Sequence, residues 1–200
     1  MNDRSPEHIR PLLVRIDRLM AERERVLVAI DGGSASGKTM LGALLQSIYA
    51  CPAFHMDDFF LRPEQRTPER FSEPGGNVDR ERFLSEVLLP LREGKTVDYR
   101  RFDCKTFTIA SPRRIEPGRL NIIEGAYALH PDLAPYYDLT VFLAVSAEKQ
   151  RERILKRNAP AQAELFFDRW IPFEQRYFAA LNVPERCDLT IFLDDQTSVP

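Results

Sequence analysis

A glycine-rich loop between an apolar strand and an amphipathic helix constrains the fold of this chain more than any other feature. Residues 26–30 form a short apolar run, preceded by charge and followed by glycine, which predicts a strand buried on both faces. After the loop, apolar residues recur at helical spacing, at Leu41, Leu44, Leu45 and Ile48. The loop itself, Gly32 to Thr39, reads GGSASGKT and fits the pattern GxxxxGK(S/T).

The chemistry of this loop points to a bound phosphate. Small residues allow backbone N–H groups to curl around phosphate oxygens, and the N-terminus of the following helix adds a partial positive charge. Lys38 is placed to reach the β- and γ-phosphates of a nucleotide, and the Thr39 hydroxyl to bind Mg²⁺. We therefore predict a nucleotide site formed by Gly32, Gly33, Ser34, Ala35, Ser36, Gly37, Lys38 and Thr39.

The rest of the chain alternates apolar strand patterns with helical ones. We predict strands at residues 53–56, 120–123, 139–144 and 189–193, and helices at about 5–24, 82–91 and 146–157. This alternation is typical of an α/β fold in which a parallel five-stranded sheet has helices on both faces. We expect one domain over residues 1–200, with a substrate-side insertion at about 61–118 that contains short strands at 96–100 and 106–110.

Composition excludes several classes of protein. Lys and Arg total 28 against 30 Asp and Glu, and this balance of charge argues against a general nucleic-acid binder. Three cysteines without a CxxC spacing fit reduced thiols, and we find neither a secretory signal nor an apolar run long enough to cross a bilayer. We expect a cytoplasmic protein that binds neither nucleic acid nor membrane.

Acidic residues follow two of the predicted strands. Asp57 and Asp58 come after the second strand, and Glu124 ends the third. Because ligands of a parallel α/β sheet bind beyond the carboxyl ends of the strands, either aspartate could accept a proton from an attacking hydroxyl, and Glu124 could hold Mg²⁺ through water. Each could instead be a capping or solvated strand-end acid. His55 shares a face with Asp57, and a structural role is the better interpretation of it.

A basic helix follows the fourth predicted strand. Arg153 and Arg157 are four residues apart and share a face, which favours a lid over about 147–170 that closes on phosphates; a solvated basic helix is the alternative. We expect a loop at residues 158–163. We expect the aromatic-rich stretch after it to pack in the core, through Phe166, Phe167, Trp170, Ile171 and Phe173.

Together these motifs resemble the uridine kinase and phosphoribulokinase group of P-loop kinases, over about residues 26–193. The specific parts are DGGSASGKT at 31–39, MDDFF at 56–60 and IEG at 123–125; the stretch at 151–157 is similar to the lid of that group. Nicotinamide riboside kinases also carry an Asp-Asp-Phe-Phe pattern at the same place. The resemblance implies a P-loop NTPase fold and phosphoryl transfer from ATP, with Mg²⁺, to a hydroxyl of a small molecule, most often the 5′-hydroxyl of a nucleoside such as uridine or cytidine.

The resemblance also implies roles for individual residues. It makes Asp57 the general base rather than Asp58 and gives catalytic roles to Lys38 and Arg153. It assigns nucleotide contacts to Arg153 and Arg157 and the metal site to Thr39, Glu124 and Asp57. Its substrate positions fall at Asp57, Phe60, Asn77, Asp79 and Phe102. The resemblance is also compatible with a homo-oligomer.

The chain departs from the nucleoside-specific members of this group at one motif. Those members carry an aspartate after a His-Pro pair, which grips the ribose hydroxyls, whereas this chain reads EPGGN at residues 73–77. Asn77 or Asp79 could take that role. Phe102 replaces a tyrosine of the group. A different acceptor, such as nicotinamide riboside or pantothenate, is therefore an alternative, and an ATPase switch without a small acceptor is a second one.

Overall fold

The computed structural model describes residues 7–192, and its core is built of short strands and helices in alternation. The strands, in chain order, are β1 (Val26–Gly32), β2 (Ala53–His55), β3 (Val97–Tyr99), β4 (Phe102–Asp103), β5 (Thr108–Ile109), β6 (Arg113–Ile115), β7 (Leu120–Glu124), β8 (Leu139–Ala144) and β9 (Leu189–Phe192). The α-helices are α1 (Arg10–Glu22), α2 (Lys38–Tyr49), α3 (Pro68–Ser72), α4 (Arg80–Phe83), α5 (Leu89–Glu93), α6 (Ala147–Arg157), α7 (Pro160–Leu165), α8 (Ile171–Leu181) and α9 (Val183–Arg186).

The central sheet has five parallel strands in the order β2-β7-β1-β8-β9. Every residue of β1 is buried, as expected of a central strand in a parallel sheet that is covered on both faces. The predicted five-stranded parallel α/β fold is confirmed. Ser5 and Leu193, the outer ends of two predicted elements, lie outside the described residues.

Helices pack on both faces of the sheet because β1 sends alternate side chains to opposite sides. Val28 lies in an apolar cluster with residues of α1 and α2, among them Ile16 and Leu45. Ala29 lies in a second cluster, which includes Phe83 and Tyr177. The loop at the carboxyl end of β1 therefore lies between helices of the two layers.

The insertion between β2 and β7 contains helices and two small antiparallel ladders. β3 pairs with β6 and β4 pairs with β5, so the short strands expected at 96–100 and 106–110 are present and two further strands complete them. α4 and α5 are joined by a π-helical turn at Leu84–Leu88. Asp79 begins α4 by accepting a hydrogen bond from the backbone N–H of Arg82 (3.1 Å).

The region after α6 differs from the sequence prediction in two ways. The loop predicted at residues 158–163 is wrong, because α7 begins at Pro160, whose fixed φ suits the first position of a helix. The expected core packing of the following aromatic residues is also wrong. They are only partly buried, and arginine guanidiniums cover the rings of Phe166, Phe167, Trp170 and Phe173.

No helix in residues 7–192 combines the length and the apolar character needed to span a membrane.

Candidate active site

The phosphate loop connects β1 to α2 through two positions that require glycine. Gly32 has a φ of +148°, and a Cβ there would lie 2.4 Å from the carbonyl oxygen of Leu143 on β8. Gly37, directly before α2, has a φ of +107°, which side chains rarely adopt. The tight path of the loop therefore depends on the absence of side chains at both positions.

Lys38 begins α2 and lies folded over the loop. Its side chain is almost fully buried, and Nζ donates hydrogen bonds to the carbonyl oxygens of Gly32 (2.9 Å) and Gly33 (3.0 Å). The ammonium group is therefore held at the mouth of the loop, where a phosphate bound by the loop amides would meet it.

Thr39 and Glu124 face each other across the ends of two neighbouring strands. The parallel register pairs Glu124 of β7 with Ile30 of β1, and the Thr39 hydroxyl lies 3.3 and 3.4 Å from the two Glu124 carboxylate oxygens. A hydroxyl and a carboxylate are oxygen ligands that fit Mg²⁺. No cluster of three or more His, Cys, Asp or Glu suited to a metal occurs in the described part of the chain, so Mg²⁺ here would take further ligands from phosphates and water.

His55 supports Glu124 from the other side. Its Nδ1 lies 2.5 Å from Glu124 Oε1, and this hydrogen bond is the main reason that the pKa of His55 is raised. β2 and β7 place the two residues opposite each other in register. This contact fits the structural role predicted for His55.

The two aspartates after β2 have different surroundings. Asp58 accepts hydrogen bonds from the Tyr99 hydroxyl (2.7 Å) and from Arg101 Nε (2.8 Å). The Asp57 carboxylate makes no hydrogen bond or ion pair to any residue in 7–192. Its pKa is raised, mainly because neighbouring protein atoms limit its hydration, while the charge of Lys38 opposes the rise; solvent still reaches Asp57 and limits the size of this effect.

Two further carboxylates beside the loop were not among the predicted site residues. Asp31 is fully buried at the end of β1 and accepts hydrogen bonds from the backbone N–H of Leu129 (3.0 Å) and the Tyr177 hydroxyl (2.9 Å). Burial raises the pKa of Asp31 to about 6. A charged residue directly after an apolar strand is the sequence signal that could have identified it.

The second is Glu174 of α8, which is 4% exposed and contacts the loop directly. Its carboxylate accepts hydrogen bonds from the backbone N–H of Ser34 (2.8 Å) and from the Ser34 hydroxyl (2.6 Å). The two residues are 140 positions apart, and no local pattern in the sequence indicates this contact.

The two arginines predicted to belong to a lid have different surroundings in the structure. Arg153 Nη1 donates to the carbonyl oxygens of Ala35 (3.1 Å) and Ser36 (3.4 Å) in the loop. Arg157 is exposed and lies over the ring of Phe166, 5.4 Å from its centroid. The structure therefore brings Arg153 to the phosphate loop and leaves Arg157 at the lid surface.

The residues predicted to contact the acceptor are mostly engaged within the protein. Asp79 is 1% exposed and caps α4, and Asn77 is also buried. The ring of Phe102 is buried and lies beside the ring of Phe107, and the guanidinium of Arg66 lies over both rings. Phe60 is partly exposed and forms a single antiparallel bridge with Val78.

At residues 73–77, where the sequence differs from the nucleoside-specific kinases, the two glycines have close neighbours and one has a positive φ. Gly75 has a φ of +75°, and a Cβ there would lie 3.1 Å from the rings of His130 and Tyr177. A Cβ at Gly76 would lie 1.9 Å from the carbonyl oxygen of Arg70. An aspartate side chain at Gly76 would require a change of the backbone, and one at Gly75 would be strained by the positive φ and the two close rings.

Sequence comparison with known proteins finds similarity to uridine kinases. The chain is 29% identical over 143 residues to the uridine kinase of Chloroflexus aurantiacus (strain ATCC 29366 / DSM 635 / J-10-fl), covering 66% of this chain and 68% of that protein. It is 27% identical over 146 residues to uridine kinase-like protein 4 of Arabidopsis thaliana, covering 68% of this chain. This chain resembles the uridine kinase-like P-loop kinases. No protein-family model matches it.

The solved structures agree with the P-loop fold of this chain. A protein of Silicibacter sp. TM1040 described as a fructose transport system kinase superposes with a TM-score of 0.73 at 23% identity, over 93% of this chain and 99% of that one. The match to the Arabidopsis protein covers only 31% of that plant protein's length. The likeness to the solved structure therefore establishes the P-loop fold.

Proposed function

We propose that this P-loop kinase transfers the γ-phosphoryl group of ATP to a hydroxyl of a small molecule. The observation that carries the proposal is the Asp57 carboxylate, which has no hydrogen-bond partner within residues 7–192 and feels the charges of Lys38 and Glu124 beside the phosphate loop. A carboxylate in that position is suited to orient an acceptor hydroxyl and take its proton.

The other residues would bind and orient the nucleotide. The loop amides and Lys38 would hold its phosphates, and Arg153, already at the loop carbonyls, would add positive charge from the lid. Thr39 and Glu124 would hold Mg²⁺, which neutralises charge on the β- and γ-phosphates when it is bound. Asp58 would fix the turn that carries Asp57, because Tyr99 and Arg101 hold its carboxylate.

The first candidate acceptor is the 5′-hydroxyl of a nucleoside such as uridine or cytidine. The similarity to the uridine kinase of Chloroflexus aurantiacus supports it. The second candidate is another metabolite, such as nicotinamide riboside or pantothenate. The glycines at 75 and 76 support this alternative, because an aspartate that could bind ribose hydroxyls would be strained at Gly75 and would collide with the backbone at Gly76.

A nucleotide-binding switch that hydrolyses ATP without an acceptor is less well supported. Such a protein does not need a base at Asp57, and it does not need the ladders β3–β6 and β4–β5 on that side of the sheet. The metal role of Asp57, the single domain, the homo-oligomer and the cytoplasmic location stay predictions from the sequence.

The test is ATP consumption with Mg²⁺ across uridine, cytidine, nicotinamide riboside, pantothenate and simple sugars. Turnover that depends on one acceptor class would establish the kinase and identify that class. Slow hydrolysis that no acceptor accelerates, equal in wild type and Asp57→Asn, would contradict the proposal and favour the switch.

A further inference from the structure

We propose that Glu174 is a specificity-determining residue of the phosphate loop: its carboxylate competes with the nucleotide's phosphate groups for the backbone N–H of Ser34. The inference rests on the proposed function, because it requires that the loop binds a nucleotide. It concerns a residue of α8, outside the sequence motif of the loop.

The geometry of the contact is that of a bound anion. A phosphate loop binds its ligand by directing backbone N–H groups at negatively charged oxygens. Glu174 presents one oxygen to the N–H of Ser34 at 2.8 Å and the other to its hydroxyl at 2.6 Å. The carboxylate is therefore bound to the loop as a phosphate oxygen would be.

Neighbouring residues make room for this contact. A Cβ on Gly33 would lie 2.8 Å from Gln150 Nε2, so glycine at this position permits the approach of Gln150, while Glu174 Oε2 would lie at an ordinary contact distance of 3.6 Å. Gln150 Nε2 also donates to the carbonyl oxygen of Ser34 at 2.8 Å. α6 and α8 thus bind the two backbone polar groups of one loop residue.

Electrostatics make the contact unfavourable once a nucleotide is present. The carboxylate is almost fully buried, and burial raises the pKa of Glu174, while the positive charge of Lys38 most strongly opposes that rise and favours the ionised form. A bound polyphosphate would draw on the same lysine and would add negative charge next to Glu174. Like charges at short range in a site with little water repel strongly.

The side chain has space into which it can withdraw. A cavity of about 190 Å³ adjoins Glu174 and Gly33, and Phe142, Ile171 and Phe178 form part of its wall. α8 itself stays attached to the sheet, because the Tyr177 hydroxyl donates to buried Asp31 at 2.9 Å. A rotation of the Glu174 side chain alone would release Ser34 without moving the helix.

The ligands most affected by this competition are those whose phosphates reach both the loop amides and Lys38, which AMP does not. The loop cradles the α- and β-phosphates, and its lysine reaches the β- and γ-phosphates. Removing the charge of Glu174 should therefore tighten the binding of ADP and of a non-hydrolysable ATP analogue, and should change the binding of AMP much less. In this way Glu174 would set how strongly the site distinguishes polyphosphates from other anions.

The experiment measures the Kd of AMP, ADP and the ATP analogue by calorimetry, with Mg²⁺ and at fixed ionic strength, for wild type and Glu174→Gln. We expect Glu174→Gln to bind ADP and the analogue about tenfold more tightly, the order of one charge-assisted hydrogen bond, with AMP changed less than about twofold. Glu174→Ala should act in the same direction. Glu185→Gln, an equal change of charge at an exposed position of α9, is the matched control and should leave all three values unchanged.

Each outcome decides the inference. Unchanged or weaker binding of ADP and the analogue in Glu174→Gln and in Glu174→Ala, with wild type binding normally, would overturn the competition and assign Glu174 to support of the loop. Equal tightening for AMP would also overturn it. Absence of nucleotide binding by wild type would instead overturn the proposed function, so the two failures are distinguishable.

Discussion

The Tyr99 hydroxyl donates a hydrogen bond to Asp58 Oδ2 at 2.7 Å and accepts one from the backbone N–H of His55 at 3.0 Å. The Tyr99 hydroxyl, which belongs to the insertion, therefore contacts the residues on both sides of Asp57. The Tyr99 ring also packs against the rings of Phe54 and Phe59, which fixes the position of the hydroxyl.

Tyr99→Phe should lower the turnover number about tenfold while leaving the KM for ATP unchanged. The ring and its packing are retained, but the turn loses two hydrogen bonds and Asp57 becomes less well oriented. Steady-state kinetics with a responsive acceptor would measure both values. Tyr49→Phe, which removes an exposed contact to Asp17, is the matched control and should have normal kinetics. A rise in the KM for ATP without a loss of turnover would contradict this role.

Asp57→Asn should reduce phosphoryl transfer by about 10²- to 10⁴-fold, the range for loss of a general base, while ATP binding persists. Asp58→Asn should have a smaller effect, because an amide can still accept a hydrogen bond from Tyr99 or Arg101. Turnover and ATP affinity measured in parallel would separate the two aspartates. If Asp58→Asn were the more damaging substitution, the assignment of the base would be reversed.

Lys38→Ala should weaken ATP binding at least about tenfold, because it removes the cation at the mouth of the loop. Calorimetry would measure the affinity. Lys95→Ala removes an exposed lysine that pairs only with Glu93 in the described structure, and it should bind ATP as wild type does. Undiminished affinity in Lys38→Ala would count against the nucleotide site.

Gly76→Ala should destabilise the fold by about 3 kcal/mol, because its Cβ would collide with a backbone atom, the carbonyl oxygen of Arg70, that has little freedom to move. Gly42→Ala is the control in α2, where the new methyl would meet Glu124 Cγ at 3.5 Å, an ordinary contact. That substitution should be neutral or stabilise by up to about 1 kcal/mol. Urea unfolding would measure both; equal stabilities would contradict the tight approach at Gly76.

Asp31 should make stability fall as the pH rises through the window from about 4 to about 6. Its pKa is about 6 in the fold against an ordinary value of 3.8, so the folded state binds more protons in that window and loses this advantage above it. The change is about 3 kcal/mol, since a difference of about two in pKa corresponds to about 1.4 kcal/mol for each tenfold step. Urea unfolding at about pH 4.5 and pH 7.5 would test it, and Asp31→Asn should abolish the difference that this residue causes.

Local sequence patterns were sufficient to predict the central sheet and the phosphate loop. The apolar runs at β1, β7 and β8 predicted these strands within two residues of their observed ends, and the helical spacing after the loop predicted α2. A strand that is buried on both faces needs a continuous run of apolar residues, and a helix that is buried on one face needs apolar residues at helical spacing. Both patterns can be recognised from residues that are close together in the sequence. The same reasoning failed at α7, where Pro160 begins a helix rather than continuing a loop.

The phosphate loop, the parallel sheet and the carboxylates that follow its strands could all be predicted from local patterns in the sequence. The family resemblance favoured Asp57 over Asp58 as the base, but the different surroundings of the two carboxylates came from the fold, since Tyr99 and Arg101 lie 41 and 43 residues from Asp58. Only the structure placed Glu174 on Ser34, 140 residues away. These contacts join residues that are far apart in the sequence, so no local spacing predicts them. The packing of the elements decides which polar groups form hydrogen bonds within the protein and which remain available to a ligand.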